Sequence, residues 1–154
     1  MKKQFLTMVT LAVVLGTANA QQAVTRVYNE KTKIGLKTGV AVGYESRYGI
    51  ELGGFYQEAD LLDKVFNKNE SSQSVKPRQY EKQFYGVYFG VRITSSNWYD
   101  LKFNVRTGVT NGENFAITPS VLANVKAMKK VQLTVGVGSR AFRPTLQTGI
   151  SVKF

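Results

Sequence analysis

The chain closes on the stretch Leu146-Gln147-Thr148-Gly149-Ile150-Ser151-Val152-Lys153-Phe154, in which apolar and polar side chains alternate almost without exception. The odd face of the alternation is polar, with Gln147, Gly149, Ser151 and Lys153. The even face runs from Leu146 to Phe154 and is apolar apart from one threonine. A period of two residues predicts a β-strand whose two faces meet different environments.

The same alternation recurs in six earlier segments, which lie at residues 33–45, 48–57, 83–93, 98–109, 115–126 and 131–142. Short turns at 45–48, 94–97 and 127–130 separate some of them, and Asn111-Gly112 is a strong hairpin signal. Residues 22–29 give a weaker eighth strand from Val24, Arg26 and Tyr28. The pattern predicts an all-β protein, an eight-stranded antiparallel up-and-down barrel whose strands are long enough to cross a membrane at a tilt.

Two prolines suggest local departures from regular strand pairing in the predicted barrel. Pro119 falls inside a strand, where it removes a backbone donor from the ladder, so we expect a bulge there. Arg143-Pro144 is expected to form the turn that leads into the last strand.

The beginning of the chain has the three parts of a secretory leader. Lys2 and Lys3 are followed by a short apolar stretch, residues 5–16, and by Ala18-Asn19-Ala20. We therefore expect a signal peptide at residues 1–20 and a mature domain at 21–154. The alternative, a retained anchor helix, is disfavoured because the apolar stretch is too short to span a bilayer. We expect no lipoprotein anchor, because no cysteine follows the cleavage site.

Composition restricts the chemistry that the chain can perform. There is no cysteine and no histidine, which removes thiolate and redox chemistry, nucleophiles activated by histidine, and most zinc sites. Of the 21 Lys and Arg residues two lie in the predicted leader, so the remainder exceed the 10 Asp and Glu by nine. The basic residues occur singly among the strands, without a clustered stripe, so we expect no nucleic-acid binding.

Alternation alone does not say which face of the barrel is enclosed. A soluble lipocalin-like barrel would enclose the apolar face, and a membrane barrel would expose it to lipid. Most glycines after residue 20 lie on the polar face, where they would leave room for large side chains inside a narrow barrel. The apolar faces of the seven clear strands carry no charged residue, and these observations favour the membrane barrel.

Aromatic residues concentrate at the strand ends in two sets, as the two interfaces of a membrane would require. The first set is Tyr44, Tyr48, Trp98, Tyr99 and Phe154, and the second is Tyr56, Tyr85, Phe115 and Phe142. We expect the first set at the periplasmic rim with the short turns, and the second at the outer rim with the loops near 30–32, 58–82, 110–114 and 142–145.

With these features the chain resembles the small outer-membrane β-barrel family of Gram-negative envelopes, the OmpA/OmpX-like type. The resemblance covers about residues 33–154 and is closest in the segment 143–154, which ends on Phe154. It implies insertion by the outer-membrane assembly machinery through the C-terminal strand and contact with outer-membrane lipids and lipopolysaccharide, and it does not imply a particular activity. Members of this type act as structural, adhesive or unassigned proteins.

The enclosed face carries charges of both signs. In the lower half, Glu51 and Asp100 can pair with Arg92 and Lys102, which predicts a lumen filled by ion pairs and no conducting pore. In the upper half, Lys37, Arg106 and Arg140 have no acidic neighbour on the strands. Buried charges need partners. The favoured hypothesis is therefore that loop carboxylates, namely Glu58, Glu81 or Glu113, fold over these cations; the alternative is an outer-mouth site for an external anion such as a lipopolysaccharide phosphate.

The sequence thus predicts a non-enzymatic outer-membrane barrel, monomeric and without cofactor or metal, with a structural role or a binding role for its loops. The 58–82 loop has apolar residues at helical spacing and is either a solvated cap or a recognition surface. A soluble periplasmic barrel that binds an apolar ligand is the alternative. A lipid-modifying enzyme would need an acid–base pair without histidine, and no such pair occurs at useful spacing.

Overall fold

The computed structural model describes residues 20–32, 35–59 and 83–154. These residues form eight strands: β1 (Ala20–Thr32), β2 (Gly35–Ser46), β3 (Ile50–Glu58), β4 (Gln83–Ser95), β5 (Tyr99–Thr110), β6 (Asn114–Lys126), β7 (Val131–Arg140) and β8 (Arg143–Lys153). Each strand pairs antiparallel with the next, and β8 pairs with β1, so the sheet closes into a barrel. The predicted fold class is confirmed. Among the described residues, no helix is long and apolar enough to cross a membrane.

The weakest predicted strand, residues 22–29, lies inside β1 and closes the barrel. Val27 of this strand stands opposite Val40 of β2 on one side and Ile150 of β8 on the other. Its alternation is hard to detect because both faces mix polar and apolar residues. Val24, Arg26, Tyr28 and Glu30 are buried in the lumen, and the residues between them face outward.

The prediction of a β-bulge at Pro119 is wrong. The β5–β6 register runs without interruption through the pair Val105–Pro119, and the register shifts lie instead at Ala20/Gln22 of β1 and Arg92/Thr94 of β4. The ladder between β6 and β7 ends at Ser120–Gly138, one residue before the proline. Pro119 therefore lies just beyond the end of the β6–β7 ladder, so its missing N–H removes no hydrogen bond from that ladder.

The turn expected at Arg143-Pro144 is also displaced. Arg143 pairs with Arg140 and Pro144 pairs with Ser139, so both belong to β8. The turn consists of Ala141 and Phe142, whose φ angles are 47° and 63°. Positive φ at both central residues is the geometry of the tight hairpin turns whose twist matches that of the flanking strands. The side chain of Phe142 is fully exposed at the tip.

The two ends of the barrel differ in their connections. We call the end with the turns 47–49, 96–98 and 127–130, together with Phe154, the turn rim. The other end, at which β1, β3, β5 and β7 end and β2, β4, β6 and β8 begin, is the loop rim. The predicted aromatic sets follow this division. Tyr56, Tyr85, Val109 and Phe115 form one row near the loop rim, and the N–H of Phe154 donates to the carbonyl of Ala23 at the turn rim.

Burial in this barrel is inverted relative to a water-soluble protein. Within residues 20–32, 35–59 and 83–154, seven hydrophobic residues are buried, against 23 polar or charged ones, and 24 large hydrophobic residues are exposed. The exposed set includes Val42, Leu52, Val87, Val135 and Ile150, which all lie on the outer face of the strands. The apolar side of each strand therefore faces out and the polar side is enclosed.

Glycines on the enclosed face make room, as the sequence predicted. A Cβ on Gly43 or Gly53 would collide with the ring of Tyr88 and with the backbone of the neighbouring strand. Gly86 and Gly108 stand opposite each other, and a Cβ on either would meet the backbone of the partner strand. The first pair accommodates a buried aromatic ring, and the second allows two strands to approach closely where the wall curves.

Candidate functional site: the ion pairs of the lumen

The half of the lumen nearer the turn rim holds three carboxylates, and Glu45 on β2 contacts the most cations. Its carboxylate is 2.9 Å from the ammonium of Lys102 on β5 and 2.8 Å from that of Lys153 on β8. It also pairs with the guanidinium of Arg92 on β4. One carboxylate thus joins three other strands across the barrel, because alternation turns each of these side chains inward.

Glu51 on β3 is fully buried and is the second carboxylate of this group. Arg26 of β1 lies 3.1 Å from it, and Lys102 lies 2.8 Å away on the opposite oxygen. The hydroxyl of Tyr88 donates a 2.8 Å hydrogen bond to the same carboxylate. Lys102 is therefore shared by Glu45 and Glu51, which links the two sets of contacts into one network.

Asp100 on β5 completes what we call the turn-side cluster. Its carboxylate is 3.1 Å from the ammonium of Lys126 and 3.9 Å from that of Lys153. The side chains of Gln132 and Ser95 donate hydrogen bonds to it. Lys126 is the more exposed partner, with 29% of its side chain accessible, so this end of the cluster is open to solvent.

The half nearer the loop rim is organised around one carboxylate, Glu30 of β1. The guanidinium of Arg106 lies 2.6 Å from it and that of Arg140 lies 3.1 Å away. The amide nitrogen of Gln57 donates to Glu30 at 3.3 Å, and its carbonyl oxygen accepts from Arg140 at 3.0 Å. These four residues form the loop-side cluster.

Aromatic rings flank both arginines of the loop-side cluster. The guanidinium of Arg140 lies 4.3 Å from the centroid of Phe84, and that of Arg106 lies 5.1 Å from the centroid of Tyr28. Phe55 packs edge-on against Phe84 at 4.7 Å. A guanidinium over a ring face is stabilised by the ring quadrupole, so the aromatic side chains add to the stabilisation that Glu30 provides.

Neutral polar side chains line the wall formed by β6, β7 and β8. The hydroxyl of Thr134 donates to the side-chain oxygen of Asn124 at 2.7 Å, and the hydroxyl of Ser120 donates to the carbonyl of Asn104 at 3.2 Å. At Gly136 and Gly149 no side chain projects from this wall into the lumen. These strands contribute three cations to the two clusters, Lys126, Arg140 and Lys153, and the other charged residues of the clusters come from β1 to β5.

The four residues predicted for the lower lumen all lie in the turn-side cluster. Glu51 and Lys102 are in direct contact, whereas Arg92 pairs with Glu45 and Asp100 pairs with Lys126 and Lys153. The pair Glu51–Lys102 is among those expected, and the partners of Arg92 and Asp100 differ, because contact across the lumen depends on the stagger of the strands.

The three cations predicted for the outer mouth are all buried. Arg106 and Arg140 share Glu30, and Lys37 stands directly opposite Glu30 in the β1–β2 register. A strand carboxylate, Glu30, therefore contacts two of these cations. Of the loop carboxylates expected to fold over them, Glu58 is buried at the end of β3, Glu113 is exposed in the β5–β6 turn, and Glu81 lies outside the described residues.

Sequence reasoning missed Arg26 and Glu30, the two charged residues that β1 contributes. The signal was present, because Arg26 and Glu30 occupy alternate positions with Val24 and Tyr28. Reading that face as enclosed would have placed a carboxylate opposite Lys37 and near Arg106.

Ion-paired side chains occupy the lumen. In the part of the chain that the structure describes, the carboxylates of Glu30, Glu45, Glu51 and Asp100 contact at least seven cations within 4 Å. Each carboxylate is engaged by at least two cations, which restricts its use as a base toward a substrate. The described residues include no group of three or more side chains suited to holding a metal ion.

Comparison with known proteins identifies the architecture and no more. No protein-family model matches the chain, and no curated protein matches its sequence. A de novo designed transmembrane β-barrel has the same fold, with a TM-score of 0.67 and 12% identity over 88% of this chain and 97% of the other. The designed barrel TMB2.3 gives 0.64 and 12% over 88% and 96%.

Neisserial surface protein A is 15% identical over 86% of this chain and 95% of its own, with a TM-score of 0.41. At such low identities the likeness to solved structures concerns the fold alone. The protein is an all-β closed barrel of eight antiparallel strands, and its structural neighbours are transmembrane β-barrels.

Proposed function

We propose that this protein is a non-enzymatic barrel of the Gram-negative outer membrane, exported by a signal peptide at residues 1–20. In this proposal it acts through its outer surface and its loops, in envelope integrity or in binding, and conducts no solute through its lumen. The inverted burial carries the proposal: the outer wall is largely apolar on strands β2 to β8, and the enclosed face is polar and charge-paired. Hydrocarbon stabilises such a wall, whereas water would not.

The absence of conduction follows from how the lumen is filled. Lys102 and Lys153 of one cluster and Arg106 and Arg140 of the other reach across the barrel to carboxylates on β1, β2 and β5. An eight-stranded barrel is just wide enough for its own side chains. An ion could pass only by separating buried pairs, which costs several kcal/mol.

The soluble alternative, a lipocalin-like carrier of an apolar ligand, needs an apolar interior. Among the described residues, the buried hydrophobic side chains are Val24, Ala41, Leu122 and four aromatic residues, and the aromatic rings contact arginines. A fatty chain placed there would have to displace ion pairs. The observed burial therefore supports the membrane barrel over the carrier.

Fractionation of a Gram-negative host that expresses the full chain tests the proposal. We expect the protein in the outer-membrane fraction, extractable only with detergent, with a folded band that migrates differently from the heated band. Sequencing of the amino terminus should begin at Gln21. Recovery from the periplasm in plain buffer as a monodisperse protein would contradict the membrane assignment.

The assembly partner is a separate part of the proposal. We expect Phe154→Ala to lower the yield of folded protein in the outer membrane severalfold, because an aromatic end to the last strand is what the assembly machinery would recognise. Phe154→Tyr is the matched control and should leave the yield unchanged. Equal yields for both variants would remove Phe154 from that role.

The outer-mouth anion site stays a prediction. Binding of lipopolysaccharide to the folded wild-type protein can be compared with binding to Arg106→Gln/Arg140→Gln. Because both arginines already share Glu30, we expect unchanged affinity. Loss of binding in a variant that still shows the folded band would establish the anion site.

A further inference from the structure

The exposed charged side chains at the turn rim are all cationic. Arg47 in the β2–β3 turn and Lys129 and Lys130 in the β6–β7 turn are exposed, and Arg92 and Lys126 keep 29% of their side chains accessible. The acidic side chains nearest this rim, Glu45 and Asp100, are turned into the lumen and buried there.

The loop rim does not share this imbalance. Its exposed charged side chains, within the described ranges, are Lys31, Arg143 and the acidic Glu113. Glu113 is also the one exposed acidic side chain in residues 20–32, 35–59 and 83–154 taken together. The sequestering of carboxylates inside the lumen therefore leaves the turn rim cationic on its outside.

Apolar and aromatic side chains accompany these cations. Tyr48, Trp98, Met128 and Phe154 are each 64–72% exposed and lie at the same rim. The guanidinium of Arg47 lies 4.8 Å above the ring of Tyr48 and donates to its hydroxyl at 2.6 Å. A ring of exposed aromatic groups with cations beside them has the chemistry of the boundary between hydrocarbon and lipid headgroups.

We infer that the turn rim binds the headgroups of anionic phospholipids, such as phosphatidylglycerol, in preference to zwitterionic ones. The inference rests on the proposed membrane insertion and adds a lipid preference to it. The argument is charge complementarity: the cations at the rim meet no exposed acidic side chain there, and a zwitterionic headgroup offsets its phosphate with an ammonium. A basic residue near an anionic surface favours the anionic lipid by about fivefold.

Trp98 makes this rim directly observable, because it is the only tryptophan in the chain. Its carbonyl accepts a 2.8 Å hydrogen bond from the N–H of Lys126, and the ammonium of Lys126 donates to the carbonyl of Ser96 at 2.6 Å. Trp98 therefore lies beside the end of β6 that leads into Lys129 and Lys130. Its fluorescence reports the lipids that contact this part of the rim.

The experiment uses the folded protein in vesicles of phosphatidylcholine that contain a minority of phosphatidylglycerol. In one preparation the phosphatidylglycerol carries brominated acyl chains, and in the other an equal fraction of the phosphatidylcholine carries them. Bromine quenches tryptophan on contact. We expect quenching by the brominated anionic lipid to exceed that by the brominated zwitterionic lipid by about twofold or more, and high salt to reduce the difference.

Two double variants, one at each rim, test which cations cause the difference in quenching. Lys129→Gln/Lys130→Gln should bring the two quenching values close together, and the matched pair Lys31→Gln/Arg143→Gln at the loop rim should leave the difference as in the wild type. Heat-modifiable migration verifies folding of each variant. Equal quenching by both lipids in the wild type, or an unchanged preference in Lys129→Gln/Lys130→Gln, overturns the lipid preference. Absence of quenching by either lipid contradicts membrane insertion itself, so the two failures are distinguishable.

Discussion

The two charged clusters of the lumen contact their cations in different ways. In the turn-side cluster, three carboxylates share five cations, and Lys102 and Lys153 each contact two of them. In the loop-side cluster, Glu30 contacts both Arg106 and Arg140, and the aromatic rings and Gln57 add further contacts. In the first cluster two cations each contact two carboxylates, whereas in the second one carboxylate contacts two arginines.

This difference indicates where the barrel is vulnerable. Removing one member of a buried ion pair leaves an uncompensated charge, which is more costly than losing the pair together. A cation with a second carboxylate nearby avoids most of that cost. We therefore expect substitutions to rank by the number of partners left behind, measured as the free energy of unfolding from urea titration of the protein folded in lipid vesicles.

The largest effect is expected for Glu30→Gln. It preserves size and hydrogen-bonding capacity but removes the negative charge that both Arg106 and Arg140 contact, which should lower the free energy of unfolding by about 3–5 kcal/mol. The triple variant Glu30→Gln/Arg106→Gln/Arg140→Gln should recover part of the loss, because the uncompensated charges are removed as well. A loss below 1 kcal/mol for Glu30→Gln would show that the rings and Gln57 suffice.

The next largest losses of stability are expected for alanine substitutions at two glycines, one beside each cluster. A Cβ on Gly43 would collide with the carbonyl of Leu52 as well as with Tyr88, and a backbone atom cannot move aside. On Gly39 the added Cβ would meet ring atoms of Tyr28, the nearest at 2.6 Å, which can shift. We expect a loss of about 2–3 kcal/mol for Gly43→Ala and about 1 kcal/mol for Gly39→Ala. Equal losses would mean that the walls adjust equally at both sites.

The matched counterpart of Glu30→Gln is Glu45→Gln in the turn-side cluster. Lys102 retains Glu51 at 2.8 Å, and Arg92 is 29% exposed and can reach solvent. The expected loss is about 1–2 kcal/mol, clearly smaller than that for Glu30→Gln. If urea titration ranked the two glutamates in the opposite order, the proposed dependence on alternative partners would be refuted.

The smallest effect is expected for Lys126→Gln at the solvent-accessible end of the turn-side cluster. Its pair with Asp100 is partly exposed, and Asp100 keeps hydrogen bonds from Gln132 and Ser95. Exposed pairs contribute less than about 1 kcal/mol, so unfolding in urea should be nearly unchanged. A loss comparable to that of Glu45→Gln would mean that water does not reach this end of the lumen.

Much of the lumen could be predicted from the alternation of the sequence, because each residue's face depends only on its position along a strand. Glu51, Asp100, Lys102 and Arg106 were assigned to the enclosed face in this way, and they are buried there. Their partners could not be predicted, because contact across a barrel depends on the stagger of all eight strands. Arg92 pairs with Glu45, from a strand that is not its neighbour in the sheet.

Two local features also could not be predicted from the sequence, namely the backbone around Pro119 and the turn between β7 and β8. Pro119 alone suggests a bulge, but whether a strand must donate at that position depends on where the neighbouring ladder ends. Ala141 and Phe142 are not turn residues by propensity, and they adopt positive φ because β7 and β8 pair up to Arg140 and Arg143. In both cases long-range pairing outweighs local preference.

The sequence by itself determined the eight-stranded barrel, its apolar outer face and its polar interior, because a period of two and the placement of glycines are local properties of the chain. Only the tertiary structure decided which charges meet. Closing the sheet brought Glu30 of the first strand to Arg106 and Arg140, which lie more than seventy residues away in the chain. Closure also buried the carboxylates near the turn rim and left that rim's exposed side chains cationic.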